Sequence, residues 1–371
     1  MVMIKVCHMT SAHNAEDIRI FHKECTSLAK AGYDVYLVER GDSYEKNGVH
    51  IIGVGDIPGN RIKRMTDGAK KVYEKALAVD ADLYHFHDPE LMPYALKLKK
   101  KGKKVVFDSH EHYRSQILHK EYLPKICRKI IAGLYGAYED NMLSKIDGVI
   151  FPCPMDGVFP LECAHRAYVD NPPMLSELYD KYDENEPKVP NSVCLIGSLT
   201  YNRGITHFVK AVSKAGCKAF VGGVFSPESL RDEVLSYEGI DNIEFLGRLN
   251  RDEVLSVLKK SMVGISAPLN LGQYNHTDNI ATKTCEYMSM GLPVIMTRQP
   301  FIEKMLKQYD FGICVDPEDT EEYANAINYL LNNPEKARRL GQNGRKTIKE
   351  VLNWEKEQNN LLGLYREILE D

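Results

Sequence analysis

Short apolar runs separated by longer amphipathic ones set the rhythm of this chain. In the first half the runs are "IKVCHM" (4–9), "DVYLVE" (34–39), "VHIIGV" (49–54), "DLYHFH" (82–87), "KKVVFD" (103–108) and "DGVIF" (147–151). The segment from Ile18 to Lys30, closed by Gly32, has helical spacing, and helix-like stretches lie between most of the other runs. Continuous apolar runs of strand length alternating with amphipathic helices predict parallel βαβ units. A polar stretch with two prolines, "YDENEPKVPNSV" (182–193), reads as a linker, after which the alternation restarts. "SVCLIGS" (192–198), "CKAFVGG" (217–223), "NIEFLGR" (242–248), "MVGISAP" (262–268), "LPVIM" (292–296) and "GICVD" (312–316) are the second set of strands, with a helix over 279–290. The last amphipathic run, "NWEKEQNNLLGLYREILE" (353–370), has no strand after it. The prediction is two tandem doubly wound α/β domains: residues 1–185 joined by a closing helix over 355–371, and residues 186–354.

Length supports that division, since 371 residues exceed what one hydrophobic core usually serves. Charge changes the picture slightly. The first 150 residues carry 24 Lys and Arg against 20 Asp and Glu, and the remainder 24 against 32. This is no nucleic-acid-binding balance, but a mildly basic first half suits an anionic partner or membrane surface. The nine cysteines are scattered without a C-x-x-C pair, several inside apolar runs, which predicts buried thiols in a reducing compartment. With no leader-like segment before the first strand and no apolar run of spanning length, the expected location is cytoplasmic, with peripheral contact at the inner membrane face.

In such sheets ligands bind beyond the carboxyl ends of the strands. The residues there are polar: "TSAHNAED" (10–17), Asp88-Pro89-Glu90, Ser109-His110-Glu111-His112, Gly197-Ser198, Arg203-Gly204 and the stretch from Pro268 to Asn279. Two sheets turning these ends toward each other would flank an interdomain cleft. "GVGDIPG" (53–59) has the wrong spacing for a dinucleotide fingerprint, and no P-loop or nucleophile elbow occurs. His85, His87, Asp88, His110 and His112 could suggest a metal. His85 and His87 share one strand face, however, and packed histidines are the commoner outcome, so no metal is expected.

A nucleotide diphosphate needs paired positive charge and backbone N–H groups at helix N-termini. "GSLTYNRG" (197–204) is a strand–loop–helix turn ending in Arg203, with Gly204 allowing close approach. "TDNIATK" (277–283) opens a helix with Lys283 in its first turns, and Glu286 one turn on could accept from two vicinal ribose hydroxyls. The plain alternative for Lys283 and Glu286 is an i,i+3 salt bridge, worth a few tenths of a kcal/mol.

These segments carry a resemblance. "IGSLTYNRGITHFVKAV" (196–212) resembles the G-x-L-x-x-x-[KR]-G turn of the fourth family of glycosyltransferases, and "TKTCEYMSMGLPVI" (282–295) is similar to its K-x-x-E-x-M-x-x-G-x-P-V-I segment. "DIRIFHKECTSLAKAGYDVYLV", "DLYHFHD", "VVFDSHEH", "ICVDPEDTEEYANAINYLL" and "NWEKEQNNLLGLY" extend the resemblance over nearly the whole chain. It implies the two-domain GT-B fold and retaining, metal-independent sugar transfer from a nucleotide-diphosphate sugar. No cofactor is implied, only the donor as substrate. The acceptor would be a saccharide or lipid-linked saccharide, as in capsule, exopolysaccharide or other cell-surface glycan assembly. On this reading Arg203 and Lys283 stabilise the leaving diphosphate and His110 lines the sugar pocket. Ser198, Asp278, Asn279, Ile280 and Glu286 hold the donor, and His13, Asp88 and Glu111 face the acceptor. Two departures stand out: Ser198 replaces a frequent Arg, and Asp278 falls where the family has a longer acid. Asp278 reads equally as a helix N-cap. A sugar-nucleotide 2-epimerase of the same fold would turn over donor without acceptor product. A non-catalytic sugar-binding protein would do neither.

Basic stretches at 61–65 with Lys70 and Lys71, at 97–104 and at 119–138 complete the first half. The last interleaves Lys125, Arg128 and Lys129 with Ile126, Ile130, Ile131 and Leu134, a pattern suited to an anionic bilayer surface.

Overall fold

The computed structural model describes residues 3–14, 16–56, 63–110, 113–118, 124–154, 163–271 and 277–370. The chain forms two compact units, one of residues 1–171 with 357–371 and one of residues 172–356. The sequence reading placed the first boundary at 185. The structure moves it to Asn171 because Leu178 is buried, with Leu175 and Tyr179 beside it, among Val254, Val257 and Met288 of the second unit.

The first unit holds an eight-stranded sheet. Its strands are β1 (Lys5–Asn14), β2 (Asp34–Arg40), β3 (Tyr44–Lys46), β4 (Val49–Gly53), β5 (Leu83–Phe86), β6 (Lys104–Asp108), β7 (Gly148–Phe151) and β8 (His165–Tyr168). Their order is β3-β4-β2-β1-β5-β6-β7-β8. All neighbours are parallel except β3, which pairs antiparallel with β4. Strands β5 and β7 are buried along their whole length, as strands covered on both faces must be. Their core includes Met9, Tyr84, Phe86, Phe107 and Val149. The first helix opens at Asp17, whose carboxylate accepts from the Arg19 and Ile20 backbone N–H groups, and runs π-helical over Ile18–Cys25 and α-helical over Thr26–Lys30.

The second unit repeats the plan with β9 (Ser192–Ile196), β10 (Lys218–Gly222), β11 (Ile243–Gly247), β12 (Val263–Ser266), β13 (Val294–Thr297) and β14 (Gly312–Val315). Their order is β11-β10-β9-β12-β13-β14, all parallel. In each sheet the chain winds outward both ways from its first strand. The order therefore reverses between β1 and β5 and between β9 and β12, the places where such sheets bind ligands. All nine cysteines are free, six of them buried. Among the described residues no helix is long and apolar enough to cross a membrane.

Candidate active site

The reversal point of the first sheet carries a dense set of charged and imidazole side chains. β1 runs on through Asn14, further than the apolar pattern suggested, so Thr10 to His13 belong to its carboxyl end. Asp88, just past β5, is 3 % exposed and holds that end in place. Its Oδ2 accepts from Thr10 Oγ1 (2.8 Å), Ser11 N (2.7 Å) and Ala12 N (3.2 Å). His13 lies beside it, with Nδ1 3.3 Å from Asp17 Oδ2 and Nε2 3.7 Å from Asp88 Oδ1. The hydrogen bond to Asp17 raises the His13 pKa above its ordinary value.

His110, past β6, contacts Asp108 through Nε2 at 3.0 Å. Asp108 is fully buried and takes a bidentate grip from Arg19, Nε at 2.8 Å and Nη2 at 2.9 Å. Burial works against ionising Asp108, but the Arg19 charge and the His110 and His87 contacts hold its carboxyl well below the usual range. The same guanidinium donates to Val169 O and lies 3.0 Å from Glu24 Oε1. Burial and the Asp108 charge push Glu24 the other way, well above the ordinary carboxylate value. Behind His110 runs a chain of contacts: His87 Nδ1 to His110 Nε2 (3.0 Å), His87 Nε2 to His8 Nδ1 (2.9 Å), His8 Nε2 to Tyr365 Oη (3.1 Å) and Tyr365 Oη to His85 Nδ1 (2.8 Å). Burial lowers His87 to about 4 and His8 and His85 well below the normal imidazole range, so all three are neutral near pH 7.

In front of this wall opens a cavity of about 630 Å³, lined by His13, Asp17, Arg19, Asp88, Glu90 and His110 together with Tyr113 and Tyr135. The structure thus brings His13, Asp88 and His110 to one pocket. Glu111, the third acceptor-side candidate, and His112 lie outside the described residues. Sequence reading missed Arg19, Glu24, Asp108 and His8. Arg19 and Glu24 left little signal, because they stand five residues apart and so fall on different faces of a regular α-helix.

In the second unit the loop after β9 needs its glycines. Gly204 has φ +73°, and a Cβ there would stand 2.8 Å from Ala267 O, past β12. Gly223 (φ +155°) passes so near that a Cβ would lie 1.8 Å from Gly197 O. Asn202 O accepts from Leu269 N at 2.9 Å, tying the two loops at the reversal point together. Arg203 reaches back beside Gly197, its Nη1 3.9 Å from where a Cβ would stand, and Ser198 next to it is exposed.

The helix predicted over 279–290 spans Thr282–Ser289. Ala281 in extended conformation (ψ 138°) delays its start, and no side chain caps it. Asp278 is therefore not its N-cap; it is exposed, Asn279 is half-buried and Ile280 is buried. Tyr287 pins the helix: its Oη accepts from Ile196 N at 2.9 Å, and its ring lies against Gly264, where a Cβ would come within 2.5 Å. Glu286 is 4 % exposed. Lys283 Nζ donates to its Oε2 at 2.9 Å, and Arg251 Nη1 to its Oε1 at 2.8 Å. Arg251 also grips Glu177 Oε2 at 2.8 Å. The pair read from spacing exists, but as part of a four-residue array in which Arg251, 35 positions before Glu286, had no local signature.

Residues 179–347 match the sequence model described as "Glycosyl transferases group 1", and residues 19–156 that described as "Glycosyltransferase Family 4". The chain is 22 % identical over 311 residues to the O-antigen chain mannosyltransferase C of Escherichia coli, covering 80 % of this chain and 78 % of that protein. It is 22 % identical over 194 residues to the MMP alpha-(1->4)-mannosyltransferase of Mycolicibacterium hassiacum. That match takes in 51 % of this chain and only 46 % of the relative. Its backbone follows the sucrose-phosphate synthase of Thermosynechococcus elongatus with a TM-score of 0.76 over 99 % of both chains, at 18 % identity.

Proposed function

Because the chain belongs to the group 1 glycosyl transferases, with the GT-B fold, we propose that it moves a sugar from a nucleotide-diphosphate donor to a hydroxyl of a saccharide or lipid-linked saccharide, with retention at the anomeric carbon. The observation that carries this reading is the buried Glu286 between Lys283 and Arg251, one turn into the uncapped helix Thr282–Ser289, beyond the reversal point of the second sheet. A buried carboxylate has a second lone pair on each oxygen for two vicinal hydroxyls. Lys283, Arg203 and the helix N-terminus offer positive charge to a diphosphate. As the glycosidic bond stretches, negative charge grows on that diphosphate, and groups fixed in advance stabilise it there. The acceptor hydroxyl meets the oxocarbenium-like carbon on the same face, and a leaving-phosphate oxygen takes its proton. Within the first unit His110, braced by Asp108, shares its pocket with His13 and Asp88, the candidates for acceptor contact. Ser198, Asp278, Asn279 and Ile280 complete the donor contacts.

No divalent ion takes part in transfer on this reading, because fixed cations do that work. Turnover is expected to persist in excess EDTA; loss of turnover restored by Mn²⁺ or Mg²⁺ overturns the point. For the whole reading, the protein is incubated with a panel of nucleotide sugars, following thermal protection and release of nucleoside diphosphate with and without saccharide acceptors. Acceptor-dependent product from one donor supports it. Donor turnover without any acceptor product indicates the epimerase alternative.

The acceptor side is proposed to work against an anionic membrane surface. Helix Lys125–Leu143 exposes Ile126 (76 %), Ile130 (60 %), Leu134 (69 %) and Tyr138 (40 %), four residues apart along one stripe. Lys129 is exposed beside them and Arg128 half-buried. Apolar side chains flanked by basic ones fit an interfacial helix on anionic lipid.

A further inference from the structure

Among the seven buried polar atoms without a hydrogen-bond partner in the described residues, three belong to one place: both Glu24 oxygens and His85 Nε2. Native proteins leave few buried polar atoms unsatisfied, and each costs stability. Here they meet two further imidazoles. His8 from β1, His85 from β5, His87 just beyond β5 and Glu24 from the first helix are all 0 % exposed, and each offers a donor atom within 4.8 Å of the others.

The outer nitrogens of the three histidines are already taken. His85 Nδ1 and His8 Nε2 both meet Tyr365 Oη, and His87 Nδ1 faces Asp108 Oδ2 at 3.4 Å and His110 Nε2 at 3.0 Å. That leaves His8 Nδ1, His85 Nε2 and His87 Nε2 for one another and for Glu24. One proton between His8 and His87, 2.9 Å apart, satisfies only that pair. His87 Nε2 is 4.0 Å from Glu24 Oε2, and the cation touching Glu24 is Arg19, which it shares with Asp108. Imidazoles whose far nitrogens are fixed by a hydroxyl and a carboxylate have the outer hydrogen bonding that orients metal-binding histidines.

We propose that His8, His85, His87 and Glu24 hold one zinc ion, buried behind the His110 wall and taken up as the first unit folds. Three imidazoles and one carboxylate, with no thiolate, suit zinc better than calcium or magnesium, which prefer oxygen donors throughout. The ion satisfies His85 Nε2 and the Glu24 oxygens together and offsets the repulsion between Glu24 and Asp108. With every donor fully buried there is no room for substrate, so the role is structural.

The test uses the full chain without a histidine tag, expressed in zinc-supplemented medium and dialysed against metal-free buffer. Elemental analysis is expected to find about one zinc per chain in the wild type. His85→Gln and Glu24→Gln are expected to hold under about a tenth of that, while the exposed His50→Gln keeps it. If the donor variants fail to fold, the wild type still decides: grown with cobalt, it should show the visible bands of a four-coordinate nitrogen–oxygen site. Wild-type protein without metal after refolding in zinc, and colourless with cobalt, overturns the proposal. The cluster is then a hydrogen-bond chain closed by a protonated Glu24. Metal content is read without any transfer assay, so this outcome is independent of the proposed activity.

Discussion

Glu286→Gln separates the two roles that the array around Lys283 can play. The substitution keeps shape and removes one charge from a buried carboxylate bonded at 2.8 and 2.9 Å to two cations. If the array only braces the fold, the loss is small. Lys283 and Arg251 are 32 % and 41 % exposed and can turn to water, and Arg251 keeps Glu177. Solvent screening then limits the cost to about 1 kcal/mol, a Tm lower by about 2–4 °C for a unit of this size, with nucleotide affinity unchanged. If Glu286 instead accepts from the ribose hydroxyls, replacing a charged acceptor by a neutral one weakens binding by about 1–3 kcal/mol, roughly 5- to 150-fold in Kd. Calorimetric titration with the nucleoside diphosphate of the preferred donor reads the Kd, and a thermal melt of the same sample reads the Tm. Arg251→Ala is the control, expected to lower the Tm similarly while leaving the hydroxyl acceptor in place. A Kd for Glu286→Gln within about twofold of wild type, alongside a lowered Tm, refutes the nucleotide role and leaves a salt bridge.

The strand–helix alternation was legible because parallel strands covered on both faces must be apolar throughout, as "LYHF" and "GVIF" nearly are. The sheet edge was not. β8 reads His-Arg-Ala-Tyr with alternate residues exposed, which in a sequence looks like any polar loop. The domain boundary was misplaced for a related reason. Polarity marks exposure to water, and 182–191 is exposed or half-buried without being the edge, whereas Leu175 and Leu178 commit the preceding segment to the second core. In the site, Lys283 and Glu286 were visible because helical spacing alone makes them neighbours. Arg19 and Glu24 were hidden by a change of helix type. They are five residues apart, which in a regular α-helix would splay them. The π-helical stretch Ile18–Cys25 widens the turn and brings both to bear on Asp108. Arg251 and Tyr365 reach their partners through tertiary packing, which no local spacing records.

Around Asp108, Arg19→Met is expected to cost about 3–5 kcal/mol in chemical denaturation, because it leaves two buried carboxyls without their cation. Asp108→Asn is expected to cost less, since Glu24 can then ionise against Arg19; equal losses would count against the shared-cation account. Asp170, which accepts from Asn171 N and lies near Glu357, Arg19 and Lys23, is pushed up to about 6 by burial. Its folded pKa lies above its unfolded one, so its contribution to stability is complete below about pH 4 and is lost as pH rises through about 6, roughly 3 kcal/mol in all. Asp170→Asn is expected to flatten that part of the stability–pH curve, and an unchanged slope between pH 4.5 and 7 would show that another group sets it. The membrane reading rests on Ile126, Ile130 and Leu134, exposed by 60 % or more on one stripe. Burying such a side chain fully is worth about 1.5–3 kcal/mol, so the three at partial depth contribute about 3–5 kcal/mol, with about 1 kcal/mol more for each nearby Lys or Arg. Replacing all three by Asp is expected to abolish sedimentation with phosphatidylserine vesicles, while high salt weakens wild-type binding without removing it, because the apolar part is not screened. Wild-type protein that stays in the supernatant at low salt, or a triple variant that still sediments, would refute the docking face, and transfer to a soluble saccharide should be equal in both proteins.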